Sequence, residues 1–104
     1  MTQFSERLVP AETSVCVMGL GYIGLPTASV LATKGFRVLG VDVRPEVVNT
    51  INRGEIHIEE PDLDILVRSA VNSGQLVASH EPQPADVFMI CVPTPIRDDR
   101  SPDL

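Results

Sequence analysis

Three glycines occur within ten residues, in the stretch VMGLGYIGLP (residues 17–26). Gly19 would permit a tight turn after the short apolar run, Gly21 would let the backbone approach a pyrophosphate, and Gly24 would let the next helix pack close to the preceding strand. The start of that helix would offer free N–H groups and a partial positive charge to phosphates. The spacing therefore predicts a dinucleotide site, and the alternative is a glycine-rich turn that binds nothing.

An acidic residue lies where a dinucleotide site needs one. The second apolar run ends at Asp42, eighteen residues after Gly24, where a carboxylate can accept hydrogen bonds from the adenosine ribose hydroxyls. This carboxylate would repel the 2′-phosphate of NADP, so NAD is favoured. Arg44 could accept that phosphate and keeps NADP open as an alternative. Sites for FAD and S-adenosylmethionine use similar turns and also stay open.

The elements that must position these residues can be read from the hydrophobic pattern. Short apolar runs predict four strands, at residues 14–19, 36–42, 76–79 and 87–92. Helical periodicity and stop signals predict three helices, from Ile23 to Gly35, from Pro45 to Gly54 and from after Pro61 to Gly74. The third helix would carry Asp62 and Asp64 in its first turn, near the positive end of the helix dipole.

This alternation of strands and helices predicts an α/β fold. We expect a Rossmann-like doubly wound parallel sheet, truncated to its first four strands and their helices, with the strand order 3-2-1-4. A chain of 104 residues with 43% hydrophobic residues suits one modest domain. If the chain stops at Leu104, the strand VFMICV (87–92) becomes an exposed apolar edge, and self-association is expected.

Charge and composition argue against several classes of partner. The net charge of −6 is unfavourable for binding nucleic acid or an anionic membrane, and no apolar run is long enough to cross a membrane. The N-terminal residues lack the pattern of a signal peptide, so a cytoplasmic location is expected. Cys16 and Cys91 make no metal-ligand spacing, and both lie in predicted buried strands, where cysteine behaves as a small hydrophobic residue.

Three segments together resemble the N-terminal domain of the UDP-glucose/GDP-mannose dehydrogenase family: GLGYIGLP (19–26), GVDV (40–43) and CVPTP (91–95). The stretch TINRGEIHIEEPDL (50–63) is similar to bacterial UDP-N-acetyl-D-mannosamine dehydrogenases. The resemblance covers nearly the whole chain from Val15 onward. It implies oxidation of the sugar C6 hydroxyl in two successive NAD-dependent steps, which gives a uronic acid for surface polysaccharide.

The resemblance also assigns residues to cofactor binding. Asp42 matches the family's ribose-binding acid, and Thr94 matches a threonine beside the cofactor at the carboxyl end of the fourth strand. Some relatives carry an arginine five residues after the acid, where this chain has Val47, so a substituting role of Arg44 stays open. The residues that match the pyrophosphate loop are Gly19, Gly21, Tyr22, Ile23 and Gly24.

The resemblance further implies that essential parts of such an enzyme are absent from these residues. Family members are several times longer, and a second α/β domain carries their UDP-sugar site and their cysteine nucleophile, in a glycine-rich stretch that this chain lacks. We expect residues 1–13 to form a loose extension and residues 14–104 to form the N-terminal part of an NAD-binding Rossmann domain. No catalytic residue is expected here, and the full-length enzyme is expected to be a homodimer.

The other residues with chemical potential have plainer interpretations. His57 lies in a loop that could face the cleft, but a histidine that packs the loop or lies at the surface is the favoured interpretation. The acidic residues between positions 55 and 64 match no calcium loop, and the acidic start of a helix explains them, so no metal site is expected.

Three functional alternatives stay open from the sequence. A sister enzyme would act on UDP-glucose, UDP-N-acetylglucosamine or GDP-mannose, because nothing in these residues recognises the sugar. A stand-alone NAD-binding or sensing module would bind NAD tightly without catalysis. A non-functional gene remnant would bind NAD weakly and would be unstable.

Overall fold

The structure, a computed structural model, describes residues 12–91. The elements in these residues follow the predicted order of strand, helix, strand, helix, helix, strand, strand. The strands are β1 (Ser14–Met18), β2 (Arg37–Val41), β3 (Leu76–Ser79) and β4 (Val87–Ile90). The helices are α1 (Gly24–Thr33), α2 (Pro45–Asn52) and α3 (Leu63–Asn72).

The strands form one parallel sheet in the order β3-β2-β1-β4, which confirms the predicted topology. β1 is a central strand, and its Val15 lies opposite Val38 of β2 and Val87 of β4. Since the strands are parallel, all their carboxyl ends lie at one edge of the sheet. The segments that follow β1, β2 and β4 therefore meet at that edge.

The hydrophobic core lies between one face of the sheet and the helices. Val15 and Val17 of β1 point to this face, and α1 packs against it with Leu25 and Ala28. Apolar residues recur at helical spacing on α2 and α3, so each of these helices also presents an apolar stripe to the core. Their fully or nearly buried residues are Val47, Val48, Ile51, Leu63, Val67 and Ala70.

The helix ends follow the sequence signals with one difference. α2 begins at Pro45, where the missing N–H needs no partner. Glycines with positive φ follow the three helices as predicted, at Gly35, Gly54 and Gly74. Asp62 was predicted to lie in the first turn of α3 but precedes it as the N-cap residue, with φ 65°. Aspartate adopts this left-handed conformation more readily than most other non-glycine residues.

Several predicted strand boundaries move by a residue or two. β4 ends at Ile90, so Cys91 follows the strand and is half-buried, whereas Cys16 is fully buried as predicted. Cys91 N–H still donates to the Met18 carbonyl at 2.7 Å, which continues the pairing with β1 past the assigned strand. Thr13, assigned to the loose extension, is buried, and its carbonyl accepts a hydrogen bond from Arg37 N–H at 3.2 Å.

Several predictions concern residues beyond those that the structure describes. Residues 1–11 and 92–104 lie outside the described range, and Thr94 is among them. The role of Thr94 and the division of the chain into an extension and a domain stay predictions. Between residues 12 and 91, no helix has the length and apolar character needed to cross a membrane.

Candidate functional site

The glycine-rich turn begins where β1 ends, and its position is fixed by the backbone. Gly19 has a φ of 101°, a conformation that favours glycine, and its N–H donates to the Val41 carbonyl at 2.7 Å. Leu20 is fully buried and packs over Gly40 of β2, where a Cβ would crowd the Leu20 methyl groups. The turn is therefore held against β2 by a backbone hydrogen bond from Gly19 and by the packing of the Leu20 side chain.

The other two glycines of the turn have different surroundings. A Cβ on Gly24 would collide with the carbonyl oxygen of Gly19, so only glycine lets α1 start this close to the end of β1. A Cβ on Gly21 would meet no atom within 4 Å. Gly21 thus borders open space, where a ligand can approach the backbone closely. Gly19 and Gly24 thus shape the turn, and Gly21 leaves its outer side open.

The turn leads directly into the start of α1. Tyr22 and Ile23 are 63% and 70% exposed, so neither residue serves to pack the turn. Among residues 12–91, the N–H groups of Gly21, Tyr22 and Ile23 have no hydrogen-bond acceptor. Free N–H groups at the positive end of a helix dipole attract an anionic group. At this position the backbone, and not the tyrosine ring, is suited to hold a phosphate.

Asp42 follows β2 and faces the turn across the edge of the sheet. Its Oδ2 accepts a hydrogen bond from Leu20 N–H at 3.1 Å, and its Oδ1 accepts one from Arg44 N–H at 3.0 Å. The Arg44 guanidinium adds two more, from Nε to Oδ1 at 2.9 Å and from Nη2 to Oδ2 at 3.1 Å. The Asp42 side chain is only 6% exposed, whereas that of Arg44 is 51% exposed. The arginine thus covers the acid from the solvent side.

This ion pair keeps both residues charged. The pKa of Asp42 falls to about 2. The side-chain hydrogen bonds from Arg44 are the main cause, burial of the carboxylate opposes them, and the N–H groups of Arg44 and Leu20 lower the pKa further. The same hydrogen bonds raise the pKa of Arg44. Asp42 is therefore an ionised acceptor at any physiological pH, as a group that binds ribose hydroxyls should be.

The turn and the ion pair line one cavity of about 490 Å³ at the carboxyl edge of the sheet. Ligands of open α/β sheets bind outside this edge. A smaller cavity of about 340 Å³ lies near the amino ends of the strands and includes Ser14, Arg37 and Gln75. The residues around the larger cavity are Gly19, Leu20, Gly21, Tyr22, Ile23, Asp42, Arg44, His57, Ile58, Ile90 and Cys91.

The structure therefore brings together all the predicted cofactor residues that it describes, except that Gly24 lies behind the turn, against Gly19 and Cys91. Open backbone for a pyrophosphate and an ionised acid for a ribose fit a dinucleotide. In the described part of the chain, no cluster of three or more histidine, cysteine or acidic residues could hold a metal ion.

The sequence analysis did not assign five of the residues that line this cavity. Leu20, Ile58 and Ile90 supply apolar walls, and His57 reaches the cavity from the segment between α2 and α3. Only the path of that segment over the sheet edge brings His57 to the turn, and no local pattern encodes this path. Cys91 was expected to be a buried hydrophobic residue and instead borders the cavity.

Comparison with known proteins gives matches over most of the chain. The profile of the UDP-glucose/GDP-mannose dehydrogenase family, NAD binding domain, matches residues 13–104. An NDP-N-acetyl-D-galactosaminuronic acid dehydrogenase of Ralstonia nicotianae is 59% identical over 91 residues, which are 88% of this chain and 22% of the relative. A UDP-N-acetyl-D-mannosamine dehydrogenase of Yersinia pestis is 55% identical over 91 residues, again 88% of this chain and 22% of the relative.

Solved structures give the same result. The UDP-N-acetyl-mannosamine dehydrogenase Cap5O from Staphylococcus aureus superposes with a TM-score of 0.82 at 45% sequence identity. The match covers 88% of this chain and 23% of that one. The chain thus spans less than a quarter of the length of these relatives.

Proposed function

Because this chain belongs to the UDP-glucose/GDP-mannose dehydrogenase family, as its NAD binding domain, we propose that it serves as the NAD-binding portion of a nucleotide-sugar 6-dehydrogenase acting on UDP-N-acetyl-D-mannosamine. NAD is the cofactor of this family domain. The observation that carries the proposal is the meeting of the glycine turn and Asp42 in one cavity at the carboxyl edge of the sheet. The resemblance of residues 50–63 and the Yersinia pestis relative support the choice of sugar.

Each part of the proposed site has one task toward NAD. The open backbone at Gly21 and the free N–H groups of Tyr22 and Ile23 hold the pyrophosphate. Gly19 and Gly24 give the turn its shape, and Asp42 accepts hydrogen bonds from the ribose hydroxyls. Arg44 borders the same ribose position. Thr94 is proposed to lie beside the cofactor, as the resemblance implies.

The bound NAD supplies a hydride acceptor, and this chain's own residues bind and orient it. We propose that this domain works together with a sugar-binding and catalytic domain in a longer protein. That protein would oxidise the sugar to a uronic acid in two steps, for a surface polysaccharide. Within the 104 residues we assign no catalytic residue. A cytoplasmic location and a homodimer of the full-length enzyme belong to the same proposal.

A second candidate substrate follows from the Ralstonia nicotianae relative, which is named as an NDP-N-acetyl-D-galactosaminuronic acid dehydrogenase and is 59% identical. The two candidates share the same NAD chemistry and differ in the sugar. The described cavity is the proposed site for NAD and not for the sugar. Activity with each nucleotide sugar is therefore the measurement that separates the two candidate substrates.

A chimeric enzyme tests whether this chain performs the cofactor half of the reaction. The 91 matching residues of the Yersinia pestis dehydrogenase would be replaced by those of this chain, and NADH formation from UDP-N-acetyl-D-mannosamine would be followed. We expect activity with NAD. In the chimera, Gly21→Ala should raise the KM for NAD roughly tenfold or more, because its Cβ fills the space that the pyrophosphate needs, equivalent to about 1.4 kcal/mol of lost binding.

Two controls make this result interpretable. Gly21→Ala should leave the melting temperature unchanged, because the new Cβ meets no atom of the protein within 4 Å. Ser69→Ala, at an exposed position on α3, should change neither folding nor KM. A folded chimera that does not use NAD, or a Gly21→Ala chimera with the original KM, would contradict the proposal.

A further inference from the structure

Among residues 12–91, His57 brings to the cavity buried side-chain nitrogens that lack a well-formed hydrogen bond. Both ring nitrogens, Nδ1 and Nε2, are shielded from solvent, and within residues 12–91 neither makes a hydrogen bond of good geometry. The Leu20 backbone approaches the ring and raises its pKa, but it does not form a full hydrogen bond with either nitrogen. The ring belongs to the segment between α2 and α3, which crosses the carboxyl edge of the sheet beside Leu20, Asp42 and Arg44. Buried polar side chains in folded proteins nearly always have a hydrogen-bond partner. An unpaired ring at a ligand cavity therefore suggests that the partner is the ligand.

The protonation state defines what the ring can offer. Burial lowers the pKa of His57 and the positive charge of Arg44 lowers it further, while the backbone of Leu20 and the charge of Asp42 act in the opposite direction. The ring is thus neutral at neutral pH. A neutral imidazole carries one N–H donor and one acceptor nitrogen, so it can bond both to a hydroxyl and to a ring nitrogen or oxygen of a ligand.

The position of the ring limits which part of the ligand it meets. Asp42 and Arg44 mark the place of the adenosine ribose, and their charges act directly on His57. On this basis, and on the basis of the proposed NAD function, we propose that His57 is a cofactor-contacting residue that hydrogen-bonds to the adenosine half of NAD. It adds a neutral donor and acceptor beside the carboxylate of Asp42, the proposed acceptor for the ribose hydroxyls.

The test measures the dissociation constants of the chain for NAD, ADP-ribose and nicotinamide mononucleotide. His57→Phe keeps a planar ring but removes both nitrogens, so it should weaken NAD and ADP-ribose about tenfold. Binding of nicotinamide mononucleotide should not change. His57→Gln restores a donor and an acceptor and should recover part of the loss. His80→Phe is the matched control, because His80 is exposed and lies outside the cavity.

A second measurement covers the case in which His57→Phe does not fold. In the unaltered protein, the NMR titration of the His57 ring should show a pKa below the ordinary histidine range, and NAD or ADP-ribose should shift the ring signals. Unchanged signals on saturation with NAD would overturn the inference while the proposed function stands. Equal NAD affinity in a folded His57→Phe protein would do the same. Failure of the unaltered protein to bind NAD would overturn both.

Discussion

The carboxylate of Asp42 has no free acceptor position in this structure. An ionised carboxylate offers about four lone-pair sites, and four hydrogen bonds reach Asp42, three of them from Arg44. A ribose hydroxyl can bond there only if the guanidinium moves aside. The arginine side chain is half-exposed, so the movement needs no change in the core. At the scale of single residues, Arg44 and the ribose of the cofactor therefore compete for the carboxylate of Asp42.

This competition predicts that loss of the Asp42 charge shifts the cofactor preference from NAD toward NADP. Asp42→Asn removes the charge that holds Arg44 and that repels a 2′-phosphate, so NAD should weaken and NADP should gain. Hydrogen bonds to charged groups contribute about 1.5–3 kcal/mol, and the NAD to NADP preference should fall at least roughly tenfold. The dissociation constants of both cofactors would be measured by calorimetry.

The double variant Asp42→Asn with Arg44→Gln gives the control for this prediction. It should lose the gain in NADP affinity, because the freed guanidinium is what binds the additional phosphate. Arg44→Gln alone should affect NADP far less than it does in the Asp42→Asn background. Equal effects of Arg44→Gln in both backgrounds would show that the ion pair does not restrain the arginine.

The residues proposed for the cofactor site differ in how far a local sequence pattern could identify them. The glycine spacing and the acid after the second strand each define a local conformation, so Gly19, Gly21, Gly24 and Asp42 could be assigned without a structure. His57 could not, because the path of its loop over the sheet edge brings it to the cavity, and no local pattern in the sequence predicts that path. Its unpaired nitrogens become visible only once the cavity is known.

At the scale of elements, α2 protects the outer edge of the sheet with one side chain. β3 is at one end of the strand order, so its outer backbone groups face no strand within residues 12–91. Asn52 pairs with it in the manner of a strand: its Nδ2 donates to the Ala78 carbonyl at 2.9 Å, and the Ala78 N–H donates to its Oδ1 at 2.8 Å. An amide side chain thus substitutes for a neighbouring strand and ties α2 to β3.

Loss of this pairing should destabilise the fold. Asn52→Ala leaves the Ala78 N–H and carbonyl without their partners, and we expect the free energy of unfolding to fall by about 1–3 kcal/mol. Asn49→Ala, at an exposed position of the same helix, makes the same chemical change and should have little effect or stabilise slightly, since alanine favours helix. Urea denaturation of both variants gives the comparison. Equal stabilities of the two variants would argue that the edge contact contributes nothing.

The elements themselves were largely predictable because their signals are periodic and local. Pro45 marked the start of α2, and glycines marked the ends of all three helices. The pairing of Asn52 with β3 was not predictable, since an asparagine at the end of a helix has many possible partners and only the strand order brings β3 within reach. The same limit applies to Cys91, whose position past β4 depends on where the pairing with β1 ends.

At the scale of the whole molecule, the two ends of the sheet differ. β4 is the other outer strand within residues 12–91, and Phe88 and Ile90 on its open face are 52% and 72% exposed. The edge of β3 is bonded to the side chain of Asn52, whereas no side chain of residues 12–91 is seen to hydrogen-bond to Val87–Ile90. An apolar strand with free backbone groups tends to pair with another copy of itself.

The 104-residue chain should therefore associate as its concentration rises. Phe88→Lys places a charge on the β4 edge and should shift the chain toward monomer in size-exclusion chromatography with light scattering, because a charged edge opposes strand pairing. Val77→Lys is the matched control on β3, where Val77 is 50% exposed on the same face of the sheet. A monomer at all concentrations, or equal effects of the two variants, would contradict this expectation.

The central position of β1 in the sheet also determines at which stage of folding the cavity forms. The β1–β4 pairing begins with hydrogen bonds between Ser14 and Asp86, which are 72 positions apart in the chain. Closing so long a loop costs chain entropy, so contacts of this kind form late in folding. We therefore expect Ile90 and Cys91, which line the cavity, to reach their places only after that step. A bound dinucleotide should therefore slow unfolding while leaving the folding rate nearly unchanged.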